Sequence, residues 1–278
     1  MKRNHNKENE MNANTTSHQL RAACQTITFG NEQRDFLPRV FESVASAGYT
    51  GVEIGFRHIR PTQPSALQAQ LDAHGLSLAA SHIGGNLQEV DQAAGERAIL
   101  DETLDYLEAL GTTLLMYSGL KFEDDERFAR DLAMLCASEK KCRERGVRLL
   151  YHNHDWEFAD DGRVIEALIK DTDLGFCPDI GWVIKGGWDP LALLERLGDR
   201  VGALHLKDFA TKTSGQVDTV MLGEGVAPLR STVDWAAKNQ PDLWLIAEQD
   251  RADVPPEQAI TQNAKFIQSA SARQSPSS

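Results

Sequence analysis

Cysteine is scarce in this sequence, and its few thiols lie far apart. Four cysteines are scattered through 278 residues, with no CxxC pair among them: Cys24, Cys136, Cys142 and Cys177. A disulfide framework or a structural zinc motif needs closely and regularly spaced cysteines, so neither is expected. The pattern is typical of a protein in a reducing compartment, and we expect four small, buried or half-buried thiols.

The sequence also lacks the long apolar stretches that membrane and export segments need. No run approaches the roughly 18 consecutive apolar residues that span a bilayer. Residues 1–19 are basic and then polar, without the apolar core of a secretory signal. We therefore expect a cytoplasmic protein without membrane contacts, with disordered tails over residues 1–19 and 269–278.

Positive charge is in short supply as well. The chain has 29 lysines and arginines against 41 acidic residues, which gives a net charge of −12. Such a surface repels a phosphate backbone, so no nucleic-acid partner is expected. The hydrophobic fraction of 41% and the charged fraction of 25% are those of an ordinary globular protein.

Between the tails, eight short apolar runs alternate with longer amphipathic segments. The runs lie at residues 22–27, 51–56, 76–81, 113–117, 147–152, 174–178, 201–206 and 243–247. Most are apolar throughout, as expected of parallel strands covered on both faces. Glycines such as Gly48, Gly111 and Gly146 stand between a helical segment and the next run. This repeated order, with no glycine-rich nucleotide motif after the first strand, predicts a single (β/α)8 TIM barrel over residues 20–268.

Polar side chains follow the predicted strand ends, where the active site of such a barrel lies. His152 and His154 are two residues apart at the end of the fifth strand and should point the same way. Three more metal-competent side chains end the sixth, seventh and eighth strands, namely Asp179, His205 and Glu248. His152, Asp179, His205 and Glu248 form a ligand set suited to one divalent ion such as Mn, Co, Zn or Mg.

Each of these residues also has a purely structural interpretation. A histidine at a strand end often hydrogen-bonds a neighbouring loop, and Asp179 could organise a turn. Glu248 could pair with Lys207, while Trp156 and Trp182 could be packing residues or platforms for a sugar. The metal site is favoured because four competent side chains end successive strands, but the sequence does not exclude a structural role for any one of them.

Three segments carry a family resemblance: YHNHDWEF, CPDIGWVIKGGWDPLALLERLGDRVGALHLKDF, and GEG followed by WLIAEQD. Through them the chain resembles the sugar phosphate isomerase/epimerase superfamily, which has a xylose isomerase-like TIM barrel. The likeness extends over roughly residues 19–267 and is greatest to the branch with inosose dehydratase and keto-sugar epimerases or lyases. It implies one divalent ion, for which Asp179, His205 and Glu248 match three usual ligands. It also implies a homodimer or homotetramer.

Two positions depart from the pattern of that family. Many members have a glutamate at the end of the fifth strand, where this chain has His152. Many also have a histidine three residues after the ligand aspartate, where this chain has Trp182. The first change removes a negative charge from the ligand set and a carboxylate that often serves as a base. His154 is then the first candidate for the base and Glu157 the second, and Glu157 is also an alternative fourth ligand.

The function predicted from these residues is that of a divalent-metal-dependent sugar isomerase or epimerase. A ketose, keto sugar or inosose would chelate the ion through its carbonyl and an adjacent hydroxyl, and loss of the α-proton would give an enediolate. A histidine base with a pKa near 7 suits this step. Catalytic roles are predicted for four residues and substrate contacts for four others: His154, Glu157, Lys207 and Glu248, and then Glu53, His82, Trp156 and Trp182.

Three other functions fit the same scaffold. Loss of a β-hydroxyl or β-alkoxide from the same site would make the protein a dehydratase or lyase. A non-catalytic sugar-binding barrel would bind sugar but no metal. An endonuclease IV-type nuclease shares the barrel, but it needs more metal ligands and a basic groove, which the net charge of −12 disfavours.

Overall fold

Short strands and longer helices alternate along the chain. The computed structural model describes residues 20–84, 90–211 and 215–272. Within these residues the strands are Arg21–Gln25 (β1), Gly51–Gly55 (β2), Ser77–Gly84 (β3), Leu114–Ser118 (β4), Arg148–His152 (β5), Gly175–Cys177 (β6), Ala203–Leu206 (β7), Asp208–Thr211 (β8), Val217–Val220 (β9) and Trp244–Ala247 (β10). The helices are Leu37–Ala47 (α1), Phe56–Ile59 (α2), Pro64–Ala73 (α3), Val90–Leu110 (α4), Asp125–Glu144 (α5), Ala159–Asp171 (α6), Ile180–Lys185 (α7), Pro190–Leu197 (α8), Leu229–Asn239 (α9) and Pro256–Ser271 (α10).

Eight of the strands form one parallel sheet that curls into a barrel. Their order is β6-β5-β4-β3-β2-β1-β10-β7, and each overlaps a predicted apolar run. The ends of the sheet meet through two isolated parallel bridges, Phe176 with Val201 and Asp179 with His205. The predicted (β/α)8 barrel is therefore confirmed, as a nearly closed barrel with helices between its strands.

The core has an outer layer between strands and helices and an inner layer that fills the barrel. The inner layer consists mainly of small side chains around a few large ones: Ala23, Ala79, Ala80, Met116, Leu150, Cys177, Ala203, Trp244 and Ile246. Trp244 fits because Gly51 faces it on β2, where a Cβ atom would lie 2.8 Å from the indole ring. Leu150 likewise occupies space next to Gly175, where a Cβ atom would lie 2.5 Å from its Cδ2. The barrel is thus a packed core rather than a pore.

Strand alternation carries this inner layer up to the carboxyl ends of the strands. On β7, Ala203 points into the barrel, so His205 and Lys207, two and four residues later, point the same way. Because all eight strands are parallel, their carboxyl ends meet at one face of the barrel. We call this face the barrel mouth.

A two-stranded antiparallel hairpin, β8 and β9, follows β7 and was not predicted from the sequence. It is held by Asp208, whose buried carboxylate accepts hydrogen bonds from four backbone N–H groups, those of Phe209, Gly223, Gly225 and Ala227, at 2.9–3.0 Å. The GEG segment therefore forms the loop that wraps this carboxylate.

The two ends of the barrel domain can be compared with the predicted boundaries. Residues 1–19 and 273–278 lie outside the described residues. The last helix, α10, continues to Ser271, three residues beyond the boundary predicted at residue 268. The reason is that Ala270 is 2% exposed and belongs to the hydrophobic core. None of the described helices combines the length and apolar character needed to cross a membrane.

We predict that Asp208→Ala destabilises the protein by about 2–4 kcal/mol, because it leaves four backbone donors without their charged acceptor. Urea denaturation of the metal-free protein measures the free energy of unfolding. The control is Asp105→Ala, which removes an exposed ion pair with Arg145 and should change stability by less than about 1 kcal/mol. Equal effects of the two variants would contradict the structural role of Asp208.

Candidate metal centre

The structure brings the four predicted ligands together at the barrel mouth. Ligand atoms of His152, Asp179, His205 and Glu248 all lie within 4.8 Å of one another. His152 is the last residue of β5 and His205 lies on β7. Asp179 lies two residues after the end of β6, and Glu248 directly follows β10. All four side chains are buried. We call them the four-residue group, which has the composition and spacing to hold a metal ion.

One carboxylate oxygen of Asp179 has a structural role, and the other accepts no hydrogen bond. Its Oδ1 accepts a hydrogen bond from the backbone N–H of Trp182 at 3.0 Å and so caps α7, which is the turn-organising role left open by the sequence. Asn153 fixes the backbone on the other side, because its Oδ1 accepts from the N–H of Asp179 at 3.1 Å. Oδ2 of Asp179 is buried without a hydrogen-bond partner, although Lys207 Nζ lies 3.3 Å away.

Lys207 is a fully buried ammonium surrounded by carboxylates. Its Nζ lies 3.0 Å from Glu248 Oε1, 2.9 Å from Asp250 Oδ2 and 3.3 Å from Asp179 Oδ2. Burial would lower the pKa of Lys207, but these three carboxylates raise it well above its ordinary value. Lys207 is therefore charged and pairs with Glu248, the pairing that the sequence left open. Asp250 was not singled out, although its position two residues after Glu248 was a usable signal.

His205 lies between two buried carboxylates. Its Nδ1 contacts Oε2 of Glu248, and its Nε2 lies 2.7 Å from Oε2 of Glu53. Burial disfavours the charged ring, but the carboxylates of Glu53 and Glu248 raise the pKa of His205 well above its ordinary value. Without a metal ion, the positive charge of the imidazolium thus balances part of the negative charge of Glu53 and Glu248.

The charges and unpaired atoms around the group fit a bound cation. Four carboxylates, those of Glu53, Asp179, Glu248 and Asp250, surround His205 and Lys207. Even without the exposed Asp250, three buried carboxylates outnumber the two basic groups, which is costly unless a further positive charge is present. Two buried ligand atoms, His152 Nδ1 and Asp179 Oδ2, have no hydrogen-bond partner. A divalent ion would supply both the charge and the partners.

His152 is suited to bind a metal as a neutral ring. Burial, followed by the charge of His205, lowers its pKa well below the ordinary value. A second possible group shares His152 and His205 but has Cys177 as its third member. Burial raises the pKa of Cys177 to about 11, so its thiol is protonated, as expected from the sequence. A hard divalent ion prefers the carboxylate oxygens of Asp179 and Glu248 to a protonated thiol. We therefore propose that the four-residue group, rather than the group with Cys177, holds the ion.

His154 lies beside the group, with its ring held by aromatic neighbours. It stacks on Trp156 with ring centroids 4.1 Å apart and lies 5.1 Å from His152. Its Nδ1 is buried without a hydrogen-bond partner. Burial, followed by the charge of Lys207, lowers the pKa of His154 to about 3. The expectation of an unperturbed histidine base near pKa 7 is therefore wrong, because the stacked, enclosed ring has lost most of its contact with water.

Glu157 lies outside the four-residue group. Its Oε1 accepts a hydrogen bond from Tyr151 Oη and its Oε2 from the backbone N–H of His154, both at 2.8 Å. The side chain is fully buried, and burial raises its pKa to about 7. With both oxygens engaged, Glu157 holds the loop that carries His154, and the structure does not bring it to the position of a fourth ligand or a base.

The four predicted substrate contacts have different surroundings. Glu53 is fully buried against His205, and His82 joins Glu53 Oε1 at 3.2 Å to Ser118 Oγ at 2.9 Å. One face of Trp156 is covered by the ring of His154, and its Nε1–H donates to the carbonyl of Leu120. The structure thus places Trp156 against the ring of His154, which it supports on that face.

Trp182, the fourth predicted substrate contact, lies beside two lysines and Phe209. Its ring lies 4.4 Å from Lys185 Nζ and 4.7 Å from Lys207 Nζ, and it packs 4.8 Å from Phe209. These cations lie within the range of an attractive interaction with the aromatic ring. Its Nε1 is buried without a hydrogen-bond partner, so it keeps a free donor near the site.

Comparison with known families gives a match over most of the chain. The family described as xylose isomerase-like TIM barrel matches residues 41–270, a stretch that contains the four-residue group. Among curated proteins, an inosose dehydratase from Geobacillus kaustophilus is 27% identical over 190 residues, which are 61% of this chain and 61% of that relative. The match therefore spans about three fifths of the relative's own length.

Solved structures with the same fold include an epimerase and a zinc-bound protein. D-allulose 3-epimerase from Methylomonas, in complex with D-allulose, has a TM-score of 0.74 at 14% identity, covering 91% of this chain and 97% of its own. The IolI protein with a bound zinc atom has a TM-score of 0.72 at 14% identity, covering 93% of this chain and 100% of its own. At such identities the likeness shows the fold alone.

We predict that purified protein carries about one equivalent of a divalent metal and that Asp179→Asn and His205→Ala each lose it. The reason is that His205→Ala removes a nitrogen donor from the four-residue group, and Asp179→Asn replaces a charged oxygen donor with a neutral one. Elemental mass spectrometry after reconstitution with Mn²⁺, Co²⁺, Zn²⁺ and Mg²⁺ measures the content. Cys177→Ala is the matched control and should retain the ion. Loss of metal in Cys177→Ala with retention in Asp179→Asn would instead support the group that contains the thiol.

The raised pKa of Glu157 predicts a pH-dependent stability. A carboxyl with a folded-state pKa of about 7, above its ordinary 4.5, binds its proton more tightly in the folded state. Its contribution is therefore most favourable below pH 4.5 and is lost as the pH rises towards 7. Glu157→Gln should gain about 2–3 kcal/mol relative to wild type between pH 5 and pH 8, as measured by denaturation of metal-free protein. Parallel stability curves would contradict this assignment.

Proposed function

The chain belongs to the xylose isomerase-like TIM barrel family, and from this we propose that it is a metal-dependent enzyme acting on a cyclic keto-polyol or keto sugar. In the proposed reaction the proton next to the carbonyl is removed, and the hydroxyl on the following carbon leaves as water. The observation that carries the proposal is an unpaired base, His154, beside the four-residue group.

The four-residue group would hold the ion, with His152 and His205 as nitrogen donors and Asp179 and Glu248 as oxygen donors. When bound, a divalent ion would polarise the substrate carbonyl and so acidify the neighbouring C–H bond. Lys207 holds Glu248 and Asp179 in place through its ion pairs. Its charge also adds positive potential where negative charge develops on the substrate oxygen.

His154 is suited to carry the proton because its ring is uncharged and one nitrogen is unoccupied. Stacking on Trp156 fixes the plane of the ring, and the bond from its backbone N–H to Glu157 fixes the loop. A histidine with this lowered pKa is a weaker base than one in water, so the acidified C–H bond must supply the remaining driving force. The imidazolium formed is in turn a strong acid, suited to protonate a departing hydroxyl.

Among the described residues beside the four-residue group, only His154 offers an unpaired base, and such an arrangement favours elimination over inversion at carbon. Inversion needs a second proton carrier on the opposite face of the substrate, but Glu53, Glu157 and His82 each have hydrogen bonds at both polar atoms. In elimination, one C–H and one C–O bond break, a C=C bond forms next to the carbonyl, and the α-proton leaves with the hydroxyl as water. The name of the matched relative, inosose dehydratase, denotes loss of water and so supports elimination.

The isomerase or epimerase predicted from the sequence is the second candidate. It begins with the same removal of the α-proton and differs only in returning a proton to carbon. The shared fold with a D-allulose 3-epimerase supports keeping ketoses in the substrate screen.

We predict that the metal-loaded protein converts an inosose into a product lighter by one water with the ultraviolet absorption of a conjugated enone. His154→Ala should lower kcat/KM by about 10²–10⁴-fold, because it removes the proton carrier, while the metal content stays unchanged. Proton and carbon NMR in D₂O, with inososes and ketoses as substrates, measures water loss and α-proton exchange together. His74→Ala, away from the mouth at the end of α3, is the control.

Each contrary result points to a different function. Deuterium at the α-carbon of a recovered or isomerised ketone, without loss of water, would support the isomerase or epimerase. Full exchange in His154→Ala would exclude His154 as the base. Sugar binding by a protein that takes up no metal and exchanges no proton would support a non-catalytic sugar-binding barrel.

A further inference from the structure

Glu53 is a buried carboxylate that faces away from solvent and touches the four-residue group from one side. It lies on β2 and has 0% of its surface exposed. Oε2 accepts from His205 Nε2 at 2.7 Å, and Oε1 lies 3.2 Å from His82 Nδ1 and 3.3 Å from Gln25 Nε2. Both oxygens already accept from protein donors and the carboxylate is fully buried, so Glu53 is not open to a substrate.

The two nitrogens of His205 face different partners. Nδ1 contacts Glu248, a member of the four-residue group, whereas Nε2 contacts Glu53, which lies outside the group. A metal-bound histidine uses one nitrogen for the ion and donates the N–H of the other to a fixed acceptor. In this geometry Nδ1 is the nitrogen on the side of the other ligands, and Nε2–H is the donor to Glu53.

Glu53 is itself held in one orientation. His82 bridges it to Ser118 Oγ, which lies 2.9 Å from His82 Nε2 at the end of β4. Gln25 donates to it from β1 while the Gln25 Oε1 accepts from the backbone N–H of Ile27 at 2.7 Å. A carboxylate anchored from both neighbouring strands can hold a histidine ring at a fixed angle.

We propose that Glu53 is a positioning residue that selects the Nε2–H tautomer of His205 and aims its Nδ1 at the metal. This replaces the substrate contact predicted from the sequence, and it rests on the proposed function, since it concerns the ion of that site. The role explains why the carboxylate is buried at the far side of a ligand rather than open to the mouth.

Metal affinity tests the proposal without relying on turnover. Competition with a chromophoric chelator gives the Kd for Zn²⁺ and Mn²⁺ in wild type, Glu53→Gln and Glu53→Asp. Both variants should bind about 10–100-fold more weakly, because loss of such a partner weakens the ligand that it orients. Asp131→Asn, the same acid-to-amide change at a buried site on α5, is the matched control and should leave the Kd unchanged.

A measurement on the wild-type protein keeps the test independent of how the variants fold. Long-range ¹H–¹⁵N spectra of Zn²⁺-loaded protein with ¹⁵N-labelled histidine distinguish the two tautomers of His205. The expected result is Nδ1 bound to the ion and Nε2 protonated. The Nδ1–H tautomer would overturn the proposal, as would a Kd within about threefold of wild type in Glu53→Gln together with a raised KM.

The outcomes separate this inference from the proposed function. If wild type binds none of the ions, both are overturned. If wild type binds an ion and the Kd and tautomer follow the expectation but no substrate is converted, only the proposed reaction fails. If substrate is converted while Glu53→Gln binds the ion as wild type does, only the role of Glu53 fails.

Discussion

The buried ammonium of Lys207 is the constraint on which the arrangement of the barrel mouth depends. Asp179, Glu248 and Asp250 reach it from the ends of two strands, and each lies within 3.3 Å of its Nζ. Like charges so close together would repel one another without the ammonium between them, and removing one partner from such a cluster leaves uncompensated buried charge. The mouth is therefore shaped by charge balance, whereas the layer beneath it is shaped by apolar packing.

The side chains at the mouth are of two kinds, charged groups around the proposed ion and a neutral histidine beside them. Charged groups, which hold one another in place, surround the position proposed for the ion. The proposed proton carrier, His154, is instead kept neutral and is held by stacking on Trp156 and by a backbone bond to Glu157. This separation allows one ring to change its protonation state while the charged groups around the ion retain their contacts.

The sequence was sufficient to predict the barrel and the four-residue group, for related physical reasons. Strands buried on both faces are apolar throughout, so they are visible as runs, and parallel strands bring their carboxyl ends together. The hairpin of β8 and β9 was missed because it depends on backbone bonds to Asp208 rather than on an apolar pattern.

The surroundings of His154 and Glu157 could not be predicted either. Burial of the His154 ring lowers its pKa, and the ring is enclosed by Trp156 and by the fold around the loop. The spacing of residues in the sequence does not reveal this environment. Glu157 is satisfied by Tyr151, whose side chain points out of the barrel, opposite to its neighbour His152. Of the two candidate bases, His154 therefore lies beside the four-residue group, whereas Glu157 is turned towards Tyr151.

The tryptophan and leucine that fill the barrel beneath the mouth also limit the direction from which an ion or substrate can reach the site. Trp244 and Leu150 close the interior against Gly51 and Gly175, so within the described part of the chain the four-residue group is reached from the mouth rather than through the barrel. If the four-residue group holds the proposed ion and the substrate binds over it, the ion would have to bind before the substrate and leave after it. That order of binding and release would follow from the closed packing below the mouth.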